Sequence, residues 1–200
     1  MSLLLDAAKV WHSLNDVKYI ITVGRKNTSN VIELTFHDSD FPHIAGMQYA
    51  KDVDFGLNPA EYYGESLVAT LLDGTFNGKL IENSRHWEHL IKSRLNTIIS
   101  IQRIIENGFY IAEFDRFKVN PISKIEAKYV IKSEETDTVF FVFFDEELNR
   151  FYCKSAFQNS SIDYTLNQTK MTVLEIIKSE HSIDTLIFRN PNYKIAVTQD

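Results

Sequence analysis

Cysteine is almost missing from this 200-residue chain, where Cys153 stands alone. One thiol closes no internal disulfide, so a secreted disulfide scaffold is excluded and a reducing, cytoplasmic setting is expected. A cysteine-rich zinc cluster is excluded with it. Long apolar runs are lacking too: no window approaches the ~18 consecutive apolar residues of a membrane-spanning helix. Met1-Ser2-Leu3-Leu4-Leu5-Asp6 has neither the basic start nor the small-residue cleavage site of a secretory leader. No membrane partner is expected. Glycine and proline number seven and four, and none gather into a linker. No two glycines have P-loop or dinucleotide-fingerprint spacing in a suitable context, and no Gly-x-Ser-x-Gly elbow occurs. No cofactor is expected. Positive charge is short as well, with 21 Lys+Arg against 27 Asp+Glu and a net charge of −6. That excludes a protein that coats nucleic acid through bulk charge.

The residues present suffice for a sizeable core without metal or disulfide staples, since 44% are hydrophobic. We expect one domain over 1–200, with a helical part (1–116) and a sheet part (117–200). Residues 3–14 put Leu4, Ala7, Ala8, Trp11 and Leu14 on one side of a helix. Two apolar runs, Val17 to Gly24 and Val31 to Phe36, flank a polar turn through Asn30 and predict a hairpin. Ser39 or Asp40 is placed to cap a helix with Pro42 in its first turn, running to about Lys51. Asn58-Pro59 opens another, ending near Gly74. A third follows Ser84, with an apolar stripe through Trp87, Leu90, Ile91, Leu95, Ile98, Ile101 and Ile105 and a stop at Asn107-Gly108.

Beyond residue 108 the period changes to two. Lys124 to Tyr129 and Arg150 to Ser155 alternate as half-covered strands do, and Thr138 to Phe144 is apolar on both faces, as a central strand is. Gln168 to Lys178 and Ile183 to Phe188 read as further strands. Helices followed by sequential strands predict an α+β fold, with an antiparallel β-sheet of about four to five strands and an N-terminal hairpin.

Several polar groupings could carry chemistry. His86 and His89, with Glu82 one turn earlier, share a helix edge. We read them as solvated or capping histidines rather than a metal face, so no metal site is expected. His43, in the first turn of its predicted helix, sits near the positive end of a helix dipole, which favours the neutral imidazole. It is either a proton acceptor or a structural histidine bonding a loop carbonyl. On the strand from Arg150, the side chains of Arg150, Tyr152 and Lys154 share one face. Two cations flanking a phenol suit a phosphodiester, with the ring open to a base, but an ordinary solvated face with cross-strand ion pairs fits as well. Ser155 points the other way unless a bulge intervenes. Lys124 and Lys128 bracket Glu126 on a similar polar face. Asp163 to Lys170, dense in hydroxyls and amides, reads as a phosphate-orienting segment or as a plain turn before a strand.

Taken together, Phe41-Pro42-His43-Ile44-Ala45-Gly46-Met47 after the hairpin, Ser123 to Tyr129, Arg150 to Phe157, and Asp163-Tyr164-Thr165 with Gln168-Thr169-Lys170 resemble the signatures of a nuclease family. It is the fourth group of the phage Barnase–EndoU–colicin–RelE-like nucleases (PBECR), and the likeness covers about residues 3–178. Ile44 and Met47 stand where leucines are expected, and residues 180–200 have no clear counterpart. The resemblance implies helices before an antiparallel sheet and a metal-independent RNase, often a toxin or effector of phages and mobile elements. It marks His43, Lys124, Glu126, Lys154, Ser155, Thr165, Gln168 and Thr169 as the matching polar positions.

The expected reaction is attack of a ribose 2′-hydroxyl on the adjacent phosphate. It needs a proton-transfer group and cations for the phosphorane. His43, Lys124, Lys154 and Glu126 are the expected catalytic set. Arg150, Tyr152, Ser155, Thr165, Gln168 and Thr169 are expected to bind substrate. The expected partners are RNA, with tRNA among the candidates, and a neutralising protein. A catalytically silent RNA-binding or protein-interaction module of the same fold is the alternative.

Overall fold

A computed structural model describes residues 2–56, 66–135, 138–147, 150–159 and 161–193. The first helix, α1 (Leu3–His12), is capped by Ser2, whose Oγ accepts the Leu5 backbone N–H. It buries Leu4, Ala7, Ala8 and Trp11, as the apolar spacing requires. Strands β1 (Val17–Arg25) and β2 (Thr28–Thr35) form the expected hairpin. Its turn is tighter than the polar run suggested: Lys26 and Asn27, with φ of 48° and 65°, make a two-residue reversal whose twist matches that of the strands.

The next helix, α2 (Phe41–Ala45), has Pro42 in its first turn and is stopped at once by Gly46, whose φ is 87°. It therefore ends well before Lys51, and only a short 3-10 turn, Met47–Tyr49, continues the chain. The start expected at Asn58-Pro59 lies outside the described residues; α3 (Ser66–Leu72) follows. A π-helical turn, Trp87–Ile91, leads into α4 (Lys92–Glu106), and the chain leaves this helix through Asn107 and Gly108 as expected.

The remaining strands are β3 (Tyr110–Glu113), β4 (Tyr129–Glu135), β5 (Thr138–Glu147), β6 (Arg150–Gln158), β7 (Thr169–Glu180) and β8 (Ile183–Arg189). An open antiparallel sheet of four to five strands is not what they build. Seven strands close into a barrel in the order β1-β2-β6-β5-β4-β3-β7, sealed by β7 pairing back onto β1, and β8 adds to β7 as an eighth. The hairpin, expected to stand before the sheet, forms part of the barrel wall. One seam is parallel and short, joining β2 to β6 through Leu34 opposite Phe151 and Thr35 opposite Tyr152. Apolar runs report which residues are covered but not which distant strand supplies the hydrogen bonds. Closure therefore leaves no mark in the local pattern.

The expected strand from Lys124 to Tyr129 is also corrected. The ladder begins only at Tyr129, and the preceding residues form a loop laid over the sheet. Its alternation is real, because Ile125 and Ala127 pack on a cluster of Ala112, Val130, Phe141 and Phe143 while Lys124, Glu126 and Lys128 stay exposed. An extended loop with one covered face has the same period as a strand. The central run in β5 is buried on both faces as predicted. Phe140, Val142 and Phe144 join the main core with the helices, and Phe141 and Phe143 join the second cluster. No helix among the described residues is long and apolar enough to cross a membrane.

Candidate active site

Short α2 brings His43 to the barrel wall beside β6. Its side chain, with Asp40 and Ile44, lines a pocket of about 240 Å³ whose other wall is Tyr152, Cys153 and Lys154. His43 is exposed, and its ring hydrogen-bonds to no described residue; only its carbonyl is engaged, by Gly46 and Gln48. The five-residue helix puts His43 in its last turn as much as its first, so the helix dipole does not favour the neutral ring as its expected place in a longer helix would. Partial desolvation lowers its pKa from 6.5 instead, helped by the charges of Arg94 and Lys154 and opposed by Asp40. The imidazole is neutral at pH 7 by that route.

A bulge in β6 arranges the facing wall. Phe143 pairs with Ser155 and Phe144 with Cys153, leaving Lys154 as the extra residue. The shift turns Ser155 to the face that also carries Tyr152, which pairs with Asp145. Ser155 thus joins the polar side, as only a bulge allows. The Lys154 ammonium donates to the Tyr152 hydroxyl at 3.1 Å and lies 3.7 Å from Asp145. These partners, the Tyr152 hydroxyl first, raise its pKa above 10.5 and keep it charged. The Arg150 guanidinium also lies over the Tyr152 ring, 5.3 Å from its centre, and pairs with Asp40 at 3.4 Å. Asp40, considered as a helix cap, makes no cap hydrogen bond. Cys153 is buried and its thiol is pushed far up by desolvation, so it is no nucleophile.

Arg94, on the first turn of α4, was not anticipated. It is only 8% exposed, yet among the described residues no carboxylate pairs with it. Its guanidinium donates to Ser155 Oγ at 3.2 Å and to the Tyr49 hydroxyl at 3.4 Å, between the Tyr49 and Phe157 rings. The arginine stays protonated despite the downward pull of burial. A signal existed in the sequence, for Arg94 falls on the buried stripe between Ile91 and Ile98. Gly46 makes room: a Cβ there would come within 2.9 Å of Arg94 Cδ. Gly46→Ala, strained by its positive φ as well, is expected to cost about 1–2 kcal/mol, read as a lower urea midpoint.

The other expected residues are dispersed. Lys124 lines a separate cleft together with Arg94. Glu126 pairs with Arg116 at 2.9 Å and faces a different pocket with Glu113 and Glu146. Thr165 Oγ1 donates to Asp163, and Gln168 clamps the Asp115 backbone at 2.8 and 3.0 Å, both in a third pocket. Thr169 opens β7 opposite Glu113. His86 accepts from Arg85 at 3.2 Å, and no group of three potential metal ligands forms among the described residues.

No curated protein and no solved structure matches the chain. A family does, over residues 3–195, and that span extends the resemblance through β8. By that match the chain belongs to PBECR4, the phage-Barnase-EndoU-ColicinE5/D-RelE like nuclease4 family.

Proposed function

We propose that this nuclease is an endoribonuclease that cuts without a metal ion, through attack of a ribose 2′-hydroxyl on the adjacent phosphorus. One observation carries the reading: His43 and Lys154, from opposite halves of the chain, line one pocket, and the imidazole there is neutral with ring nitrogens unbonded by any described residue. A neutral imidazole facing a charged ammonium across one pocket is the pairing that acid–base scission of a phosphodiester needs. His43 removes the 2′-hydroxyl proton as the new P–O2′ bond forms. Lys154 faces the charge that collects on the phosphorane. As the P–O5′ bond breaks, the leaving oxygen is far more basic than an amine and takes its proton from the Lys154 ammonium. The products are a 2′,3′-cyclic phosphate and a 5′-hydroxyl. Arg150 and Tyr152 flank the lysine and orient the strand, and Arg94 adds positive potential behind it.

The protein is expected to cut RNA, tRNA included, in the presence of EDTA and to leave cyclic-phosphate ends. It should spare the same sequence carrying a 2′-deoxyribose at the cut site. Expression in bacteria should arrest growth, as a phage-type toxin would, and His43→Ala should relieve the arrest. Tight RNA binding without cleavage would favour the silent-module reading.

A further inference from the structure

A second cleft, of about 470 Å³, lies between the start of α4, the loop 121–125 and residues 157–159, 161, 162 and 164. That volume lies in the range of small-molecule sites. Its lining carries cations without acids, as does that of the cleft at Arg25 and Lys26. The chain carries net −6, and another pocket of about 540 Å³ is lined by Glu113, Glu126, Asp145 and Glu146 against the one cation Lys128. This cleft is lined by Arg94, Lys124 and His89 and by no described Asp or Glu. None of the three basic side chains has a carboxylate partner among the described residues.

Burying a guanidinium without a counter-charge is costly unless an anion completes it. Among the described residues, Arg94 donates to two hydroxyls only, at 3.2 and 3.4 Å, which leaves donors of its five-donor fork without a described partner. The rings of Tyr49, Phe157 and Tyr164 line the same cleft, Phe157 already stacked on Phe143 at 5.6 Å, and give it apolar walls against which a base packs. The Gln158 amide, which bonds no described residue, supplies a donor and an acceptor on the same wall. Anion holder, aromatic walls and amide together suit a nucleotide rather than a bare anion. Arg94 of this cleft bonds Ser155, the chain neighbour of Lys154 in the His43 pocket, and this bond links the two cavities.

We propose that this cleft is a subsite for a nucleotide of the RNA strand flanking the scissile bond, its phosphate on Arg94 and Lys124 and its base among Tyr49, Phe157 and Tyr164. The proposal rests on the endoribonuclease reading for its substrate, but it is tested by binding. Calorimetric titration of the His43→Ala protein with adenosine 5′-monophosphate, ribose 5-phosphate and inorganic phosphate separates base from anion recognition. The nucleotide is expected to bind about ten-fold or more tightly than either control. Arg94→Gln should weaken nucleotide binding about ten-fold or more. Lys124→Glu, on an exposed loop where folding is not at risk, should weaken it likewise.

In the wild type, adding one flanking nucleotide to a minimal dinucleotide should raise kcat/KM, and Lys124→Glu should remove that gain. Equal affinity for phosphate and nucleotide, or indifference to both substitutions, overturns the subsite. So does a free mononucleotide that binds while a flanking nucleotide brings no gain in cleavage. A protein that binds the nucleotide in this way but cuts no RNA overturns the endoribonuclease reading and leaves the nucleotide site standing. One that cuts RNA but binds no nucleotide does the reverse.

Discussion

His43→Ala is expected to lower RNA cleavage about 10²–10⁴-fold, the span that a positioned proton-transfer group supplies. The melting temperature should scarcely move, because the His43 ring is exposed and bonds to no described residue. That pairing separates catalysis from structure, since a histidine bonding a loop carbonyl would unsettle α2 when removed. The pH dependence gives a second measure. His43 acts as base only when neutral, so cleavage rises with pH as it loses its proton, and its pKa lies below 6.5. Lys154 must stay protonated, and its pKa lies above 10.5, so the descending limb falls beyond that value. Asp40 opposes the lowering at His43, so Asp40→Asn should move the ascending limb further down in pH. Full activity in His43→Ala would sink the assignment.

Arg94→Met is expected to act in opposite directions on stability and activity. Desolvating an unpaired guanidinium costs several kcal/mol, whereas the two hydroxyl bonds and the ring contacts return only part of that. A methionine of similar length keeps the packing. The folded state should gain about 1–2 kcal/mol, read as a higher urea midpoint. Cleavage should fall about 10–100-fold, the worth of a charged hydrogen bond to phosphate. The ascending pH limb should also move up, since one of the two cations that lower the His43 pKa is gone. A less stable variant would instead mark Arg94 as a structural strut. Stability given up at a functional site is a common trade.

Much of this architecture is legible locally. The covered faces of α1 and α4, the β1–β2 hairpin, the doubly buried Phe140 to Phe144 run and the stop at Gly108 follow from spacing and turn chemistry. The family is legible as well, because its short motifs keep their order. Lys124 to Tyr129 shows the limit of such evidence. Its alternation correctly reports one covered face, but an extended loop over Phe141 and Phe143 makes the same pattern as a paired strand.

The sequence alone determined the residue types of the site, the absence of an internal disulfide and the small scale of its positive charge. Tertiary structure decided which of those residues meet. It closed the barrel by pairing β1 with β7, set Lys154 in a bulge that turned Ser155 toward Arg94, and sent Glu126, Thr165 and Gln168 to other pockets. The reason is physical. Periodicity and propensity act over a few residues, whereas strand pairing, bulges and a buried unpaired charge depend on groups brought together from distant parts of the chain.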